Sequence, residues 1–314
     1  MQYRTLGRTG LQVSIMGMGT GGHDPLGQKS GRAESEMHRL LHRAFELGIN
    51  YFDTSPGYFD SESILGRALR PLPRSEVVVS SKIALAGDGG VMTQKDVTDS
   101  VEASLRRLQM ETIDVMYAAV SCPSYLSAVK EEHIPVLERL KEQGKIRFIA
   151  SSELSRADGA HVWLQSSLPF DWFDVVMVAH NLMNQSAQRS VFPNCRERGL
   201  GVVNVFTVRN VFSRPERLRE VIADLKSRGV VDADATPDEE PLGWLHDDGD
   251  ASSLIEAAYR FAAYTSPVTC VMTGTLESAE LEENVRNVQK GPLSQAILER
   301  LSRIFSRVAE PIGN

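Results

Sequence analysis

Apolar and polar positions alternate along this chain in two rhythms. Met37, Leu40, Leu41, Ala44 and Leu47 recur at three- and four-residue spacing and predict a helix over Glu34–Leu47. Short runs rich in Val, Ile and aromatics read instead as strands. These are Ile15–Gly19, Tyr51–Asp53, Val77–Lys82, Ile113–Ala119, Ile146–Ser151, Val175–Val178, Val202–Phe206 and Val268–Thr273. Helical patterns at Ser61–Leu69, Lys95–Leu108, Ile134–Gln143, Gln185–Arg198 and Ser252–Tyr264 fall between most of them, with a less certain helix before Val175. Ser278–Val288 and Ser294–Val308 finish the chain. Ser61 reads as the N-cap of its helix. MQYRTLGRTGLQVS alternates around a Gly-Arg-Thr-Gly turn and predicts an N-terminal β-hairpin under the barrel floor.

Eight strands alternating with helices argue for a parallel sheet with right-handed crossovers. The whole chain, 1–314, is expected to form one (β/α)8 TIM barrel with the hairpin and additional C-terminal helices. An open doubly wound sheet usually shows G-x-G-x-x-G after its first strand. GMGTGG at 17–22 lacks that spacing and reads as a loop where a ligand approaches the backbone. Residues 228–250 are acidic and Pro/Gly-broken. Such a segment is ordinarily solvated; if it is a lid, Leu242 and Trp244 are the groups that reach inward.

Composition narrows the partners. The formal charge is −7, from 34 basic and 41 acidic residues, with no Lys/Arg stripe to suggest nucleic acid. Cys122, Cys195 and Cys270 are odd in number and far apart, without disulfide or zinc spacing. No apolar run reaches a membrane span, and the N-terminus lacks a signal-peptide pattern. A cytoplasmic, soluble enzyme without nucleic-acid or membrane partners is expected.

The richest stretch is NYFDTSPGYFDSESILG at 50–66. Asp53 ends a strand, Tyr58 lies in the next loop, and Lys82 ends the following strand. Tyrosine ordinarily titrates near pH 10. A neighbouring ammonium eases proton release by stabilising the phenolate, and a carboxylate can hold that ammonium in place. The trio therefore suggests a tyrosine that protonates an alkoxide, or takes a proton from an alcohol in reverse. Each residue alone has an ordinary structural role as cap or solvated lysine; together at adjacent strand ends they suggest a site.

FDTSPGY…SESILGRAL, VVVSSK, GKIRFIASSE and MTGTLESAELEENV, in that order, resemble the aldo-keto reductase family over most of the chain. The resemblance implies a barrel that transfers hydride between NADP(H) or NAD(H) and a small carbonyl or alcohol substrate. It implies Tyr58 as proton donor, Lys82 as its partner and Asp53 as the orienting carboxylate. Asp53, Gly19, Thr20, Ser152, Glu153, Phe206 and Arg209 then fall on the cofactor side. Gly274 and Thr275 fall at its phosphates, and Glu283 and Asn284 at the adenine. Helix N-termini suit such phosphates.

Four positions depart from the family pattern. Its Ser-Asn pair after the fifth strand falls at Ser152-Glu153, and an ionised glutamate can accept from the carboxamide NH2 but cannot donate to its oxygen. Its catalytic histidine, in D-L-Y-x-x-H, falls at Ala119; Ser121, Cys122 or His180 are substitute donors. Its glutamine on the sixth strand falls at Met177. An arginine that many members place at the 2′-phosphate falls at Glu280, with Lys290 or Arg286 able to compensate, so both NAD(H) and NADP(H) stay open. The alternative is a cofactor-binding regulatory or sensor module of the same fold with weak or no turnover. The missing histidine, Glu153 and Met177 favour the module, and the retained Asp53, Tyr58 and Lys82 favour the enzyme. A metal-dependent barrel enzyme is a weaker third reading, since the strand ends carry no ligand cluster.

Overall fold

A computed structural model describes residues 1–87, 90–153, 156, 158–247 and 250–312. Strands Tyr3–Thr5 and Gln12–Ser14 pair antiparallel as the expected hairpin. Eight parallel strands follow: Met16–Gly19, Tyr51–Asp53, Val78–Gly87, Ile113–Val120, Ile146–Glu153, Val175–Ala179, Gly201–Val205 and Cys270–Thr273. Each pairs with the next in sequence, and the last closes on the first through Val271 opposite Met16. The sheet is a closed (β/α)8 barrel, as the alternating pattern predicts.

Period-two alternation sorts the strand residues into two layers. One set points into the barrel. Tyr51, Val78, Val115, Tyr117, Met177, Val203 and Cys270 form an interior cluster with Leu6, Leu11 and Val13 from the hairpin, which plugs the floor. The other set packs outward against the helices, as Phe52, Val79, Met116, Ile149 and Val176 do. The helix Gln94–Leu108 starts from a capping box of Thr93 and Asp96, worth about 1 kcal/mol.

Several local expectations change. Asp60 stands at the N-cap of the helix Ser61–Leu69, and Ser61 is its first helical residue. The Ser61 hydroxyl is spent on Thr20 Oγ1 at 2.7 Å instead of on its own helix. The helix expected over 185–198 is two pieces, Ala187–Ser190 and Phe192–Arg198, divided at Val191 just before Pro193. A helix over Pro215–Ser227, with Leu218, Ile222 and Leu225 buried, joins the element list.

The acidic segment is anchored. Val231, Leu242, Trp244 and Leu245 are buried in a second core with Leu218, Ile222, Phe261 and Leu301, apart from the barrel interior. Arg300 stacks on the Trp244 ring at 3.9 Å. Residues 248–249, at the end of this segment, lie outside the described residues.

Candidate active site

The strand register places Asp53 and Lys82 at one end of the barrel. Gly19 pairs with Asp53, Asp53 with Ser80, and Lys82 with Tyr117. Lys82 Nζ reaches Asp53 Oδ2 at 2.5 Å and Thr54 O at 2.9 Å. Ser80 Oγ donates to Asp53 Oδ1 at 2.8 Å. Both members of the ion pair are nearly enclosed, with side chains 13% and 8% exposed. Burial alone would lower the Lys82 pKa, but the Asp53 carboxylate and then Tyr58 outweigh it and hold it above the usual lysine value.

Tyr58 is brought to this pair by a tight loop. Its ring centre lies 5.2 Å from Lys82 Nζ. The loop is tied by Tyr58 N–H to Ser55 O at 3.1 Å and by Gln28, which donates to Tyr58 O and accepts from Asp60 N–H. Gly21 lets the neighbouring loop lie against the phenol: a Cβ there would stand 2.5 Å from Tyr58 Cε2. Thr20, buried, donates its N–H and hydroxyl to Asp53 O. Asp53, Tyr58 and Lys82 thus form one cluster.

The neighbouring arc of the mouth is different. Ala119 pairs with Ser152, and Ser152 with Met177, in one row of three strands. Ser152 is almost buried, and among the described residues its hydroxyl makes only a 3.4 Å bond to the Glu153 carbonyl. Glu153 is one residue further and takes the opposite face. Its carboxylate accepts from His161 Nδ1 at 2.9 Å and from Ala179 N–H at 3.1 Å. His161 Nε2 meets Ser186 Oγ at 2.9 Å, and all three side chains are buried. Burial pushes the Glu153 pKa up, against the pull of His161.

The substitute donors fare unequally. His180 is fully buried between Phe192 and Phe261, at 5.2 and 5.0 Å between ring centres, and does not face the barrel mouth. Burial lowers its pKa to about 3, so it stays neutral. Ser121 Oγ points at Ala86 O, at 3.5 Å, and Cys122 Sγ lies 2.7 Å from Ser124 Oγ.

Where the family resemblance implies the adenosine end, Gly19 and Gly274 sit side by side on the first strand and just past the eighth. A Cβ on Gly274 would meet only Gly19 O, at 3.8 Å, leaving bare backbone at the mouth. Thr275 accepts from Glu277 N–H at 3.1 Å and donates to Glu280 Oε2 at 2.5 Å, ahead of the helix Ser278–Val288. Asn284 is tied to Thr273 Oγ1 at 3.1 Å, and Glu283 is exposed. Phe206 has φ +60° and carries the Arg209 guanidinium 4.1 Å from its ring centre. Burial, and then Arg156, lower the Arg209 pKa.

Ser80, Gly21 and Gln28 were not apparent as site residues in sequence, although Ser80 shares strand parity with Lys82. His161 and Ser186 gave no local signal, since they meet Glu153 only in the fold.

Residues 16–305 match the Aldo/keto reductase family. Over 323 aligned residues the chain is 28% identical to L-galactose dehydrogenase of Arabidopsis thaliana, covering 100% of this chain and 96% of that protein. It is 30% identical to the NADH-specific methylglyoxal reductase of Escherichia coli over 64% of this chain and 65% of that one. Among solved structures, the holo form of an aldo-keto reductase from Bacillus halodurans superposes with a TM-score of 0.72 at 22% identity, over 100% of this chain and 98% of that one. Among the described residues, no helix is long and apolar enough to cross a membrane. The chain is a member of the aldo/keto reductase family and, with it, an oxidoreductase of the kind that works with a nicotinamide cofactor.

Proposed function

We propose that this protein reduces an aldehyde or ketone, or oxidises the matching alcohol, with Tyr58 as the proton donor. The observation that carries this reading is the enclosed Asp53–Lys82 pair, 2.5 Å apart, with Tyr58 against it. As a proton leaves the phenol, negative charge grows on its oxygen. The Lys82 ammonium meets that charge in a site with little water to screen it. Asp53, held by Ser80 on its other oxygen, keeps the ammonium charged and aimed.

The residues present fit a nicotinamide dinucleotide. The Ser152 hydroxyl has capacity to spare for a carboxamide, and the Phe206 ring offers a stacking face. The paired glycines at 19 and 274 leave backbone open at the start of an eleven-residue helix. Asp53, Thr20 and Arg209 line the approach, and Thr275, Glu283 and Asn284 the adenosine end. When bound, the cofactor supplies the hydride. Glu153 turns away from the mouth onto His161, so its carboxylate does not contact the carboxamide. We assign NAD(H) as the preferred form. Glu280, exposed and held by Thr275, stands at the position where the family resemblance implies a cation for the 2′-phosphate, and its carboxylate would repel that group. One relative's name, an NADH-specific reductase of methylglyoxal, agrees.

The test mixes the protein with NADH or NADPH and a series of small aldehydes, ketones and sugars, and follows cofactor absorbance. Turnover with NADH favoured is expected. Tight cofactor binding with no turnover in either direction would contradict the enzyme and favour the regulatory module.

A further inference from the structure

Five described residues other than glycine have left-handed backbone. Gln109 ends a helix, where that conformation is common. Leu26, Phe59, His161 and Phe206 all lie in loops that follow barrel strands, at the mouth. An L side chain in this region crowds its own backbone, and a bulky one more so. Leu26 and His161 are buried, so packing offsets the strain. Phe206 carries the Arg209 guanidinium on its ring. Phe59, with φ +52°, is 62% exposed and joins none of the apolar cores among the described residues.

A single exposed phenylalanine is ordinary on a protein surface. One on strained backbone beside the proposed proton donor is not. Phe59 follows Tyr58 directly, and its neighbours hold it in place. Gln28 bridges across it, donating to Tyr58 O at 3.1 Å and accepting from Asp60 N–H at 2.9 Å. Asp24 fixes the loop that carries Gln28, accepting from Lys29 N–H at 2.8 Å. The Lys29 ammonium stands 5.9 Å from the centre of the Phe59 ring. Glycine would adopt this φ without strain and keep the same backbone bonds. What glycine lacks is the ring. That ring stands on the rim between the loops after the first and second strands, one residue from the phenol.

We propose that Phe59 is a specificity-determining residue whose exposed ring packs against a ring carried by the carbonyl substrate. This rests on the assignment of Tyr58 as proton donor and deepens it by naming the substrate class: a carbonyl compound bearing an aromatic or alicyclic group. Burial of apolar area and offset stacking supply the attraction. The strained backbone holds the ring out before the substrate arrives, so no ordering cost falls on binding.

The test uses the full chain as parent, Phe59→Gly, Phe59→Asn and Phe59→Tyr. Melting temperature comes first. Phe59→Gly and Phe59→Asn should melt at or above the parent, since both residues accept a left-handed φ. The second readout needs no turnover: saturation-transfer NMR of benzyl alcohol with the protein kept in NADH, where the alcohol cannot be oxidised. The ring signal should be clear in the parent, weak in Phe59→Gly and restored in Phe59→Tyr. The third is the ratio of kcat/KM for benzaldehyde over propanal. It should fall about tenfold in Phe59→Gly, the scale of one aromatic pair, and return in Phe59→Tyr. No ring signal in the parent, or a signal and ratio unchanged in Phe59→Gly, would overturn the proposal. So would Phe59→Gly and Phe59→Asn both melting lower or failing to fold, because the side chain would then serve the fold. If the parent turns over no carbonyl, the proposed activity fails, and the ring signal still decides this inference.

Discussion

Two arcs of the same barrel mouth are built to different standards. On the second and third strands, Asp53, Ser80 and Lys82 form a closed hydrogen-bonded set with the Tyr58 ring centre 5.2 Å from the ammonium. On the fourth to sixth strands, Ala119, Ser152 and Met177 stand in register, and the Ser152 hydroxyl is the one polar side-chain group among the three. The polar groups of that arc lie behind the wall, in Glu153, His161 and Ser186. On the proposed assignment of Tyr58, this barrel keeps the proton-delivering group while alanine stands at the position where the family resemblance implies a histidine.

The largest effect should fall on the proton arc. Lys82→Met should cut kcat by about 10²-fold or more, because the phenolate charge loses its partner. NADH affinity, read by protein fluorescence, should change little. A loss confined to affinity would move Lys82 out of the chemistry.

Next is the hidden polar group of the other arc. His161→Ala leaves the Glu153 carboxylate buried without its His161 hydrogen-bond partner and should cost about 2 kcal/mol or more of stability, measured by urea unfolding. Glu153→Gln on top of it should recover part of that loss. An unchanged midpoint would mean that the network is not under electrostatic load.

A smaller change is expected at the adenosine end. Glu280→Arg should move the ratio of kcat/KM for NADPH over NADH upward by about tenfold, the worth of one charge-assisted contact to a phosphate. No change in the ratio would place the 2′-hydroxyl elsewhere.

The smallest concerns neither arc and serves as a control. Burial opposes the charge of Glu256, but Lys290, Ser252 and Arg260 hold its pKa down, to about 2 against an ordinary 4.5. A depressed carboxylate stabilises the fold above its unfolded value, and that stability is lost as pH falls from about 4.5 through about 2. Glu256→Gln should lower the melting temperature at pH 7 and narrow the gap to the parent near pH 2. Turnover at pH 7 should be unaffected at temperatures where both are folded.

Sequence revealed one arc better than the other, for a physical reason. Asp53, Tyr58 and Lys82 come from strand ends and the loop between them, where residue type and spacing are local. Their support was also within reach: Asp53, Ser80 and Lys82 share the inward parity of a two-residue period. The same parity puts Ser152 inward and Glu153 outward, away from the side the family resemblance implies. His161, eight residues beyond Glu153 with φ +62°, comes back to that carboxylate only through a loop whose path has no period to read. His180 follows a strand yet faces Phe192 and Phe261, because the outward layer of a barrel strand is apolar and takes a neutral ring. The helix Pro215–Ser227 carries its own apolar period in Leu218, Ile222 and Leu225, whereas the acidic run after it has none. The Trp244 and Leu242 of that run serve instead to bind it to the C-terminal helices.

The central claim is that Tyr58 gives the proton while the histidine position stays empty of any donor. A single-turnover experiment tests it most directly: protein saturated with NADH is mixed rapidly with an accepted aldehyde, and cofactor oxidation is followed in the parent and in Tyr58→Phe. The account predicts that Tyr58→Phe binds NADH as the parent does and oxidises it about 10²- to 10⁴-fold more slowly. Oxidation at the parental rate in Tyr58→Phe would contradict it and move the proton donor to another group.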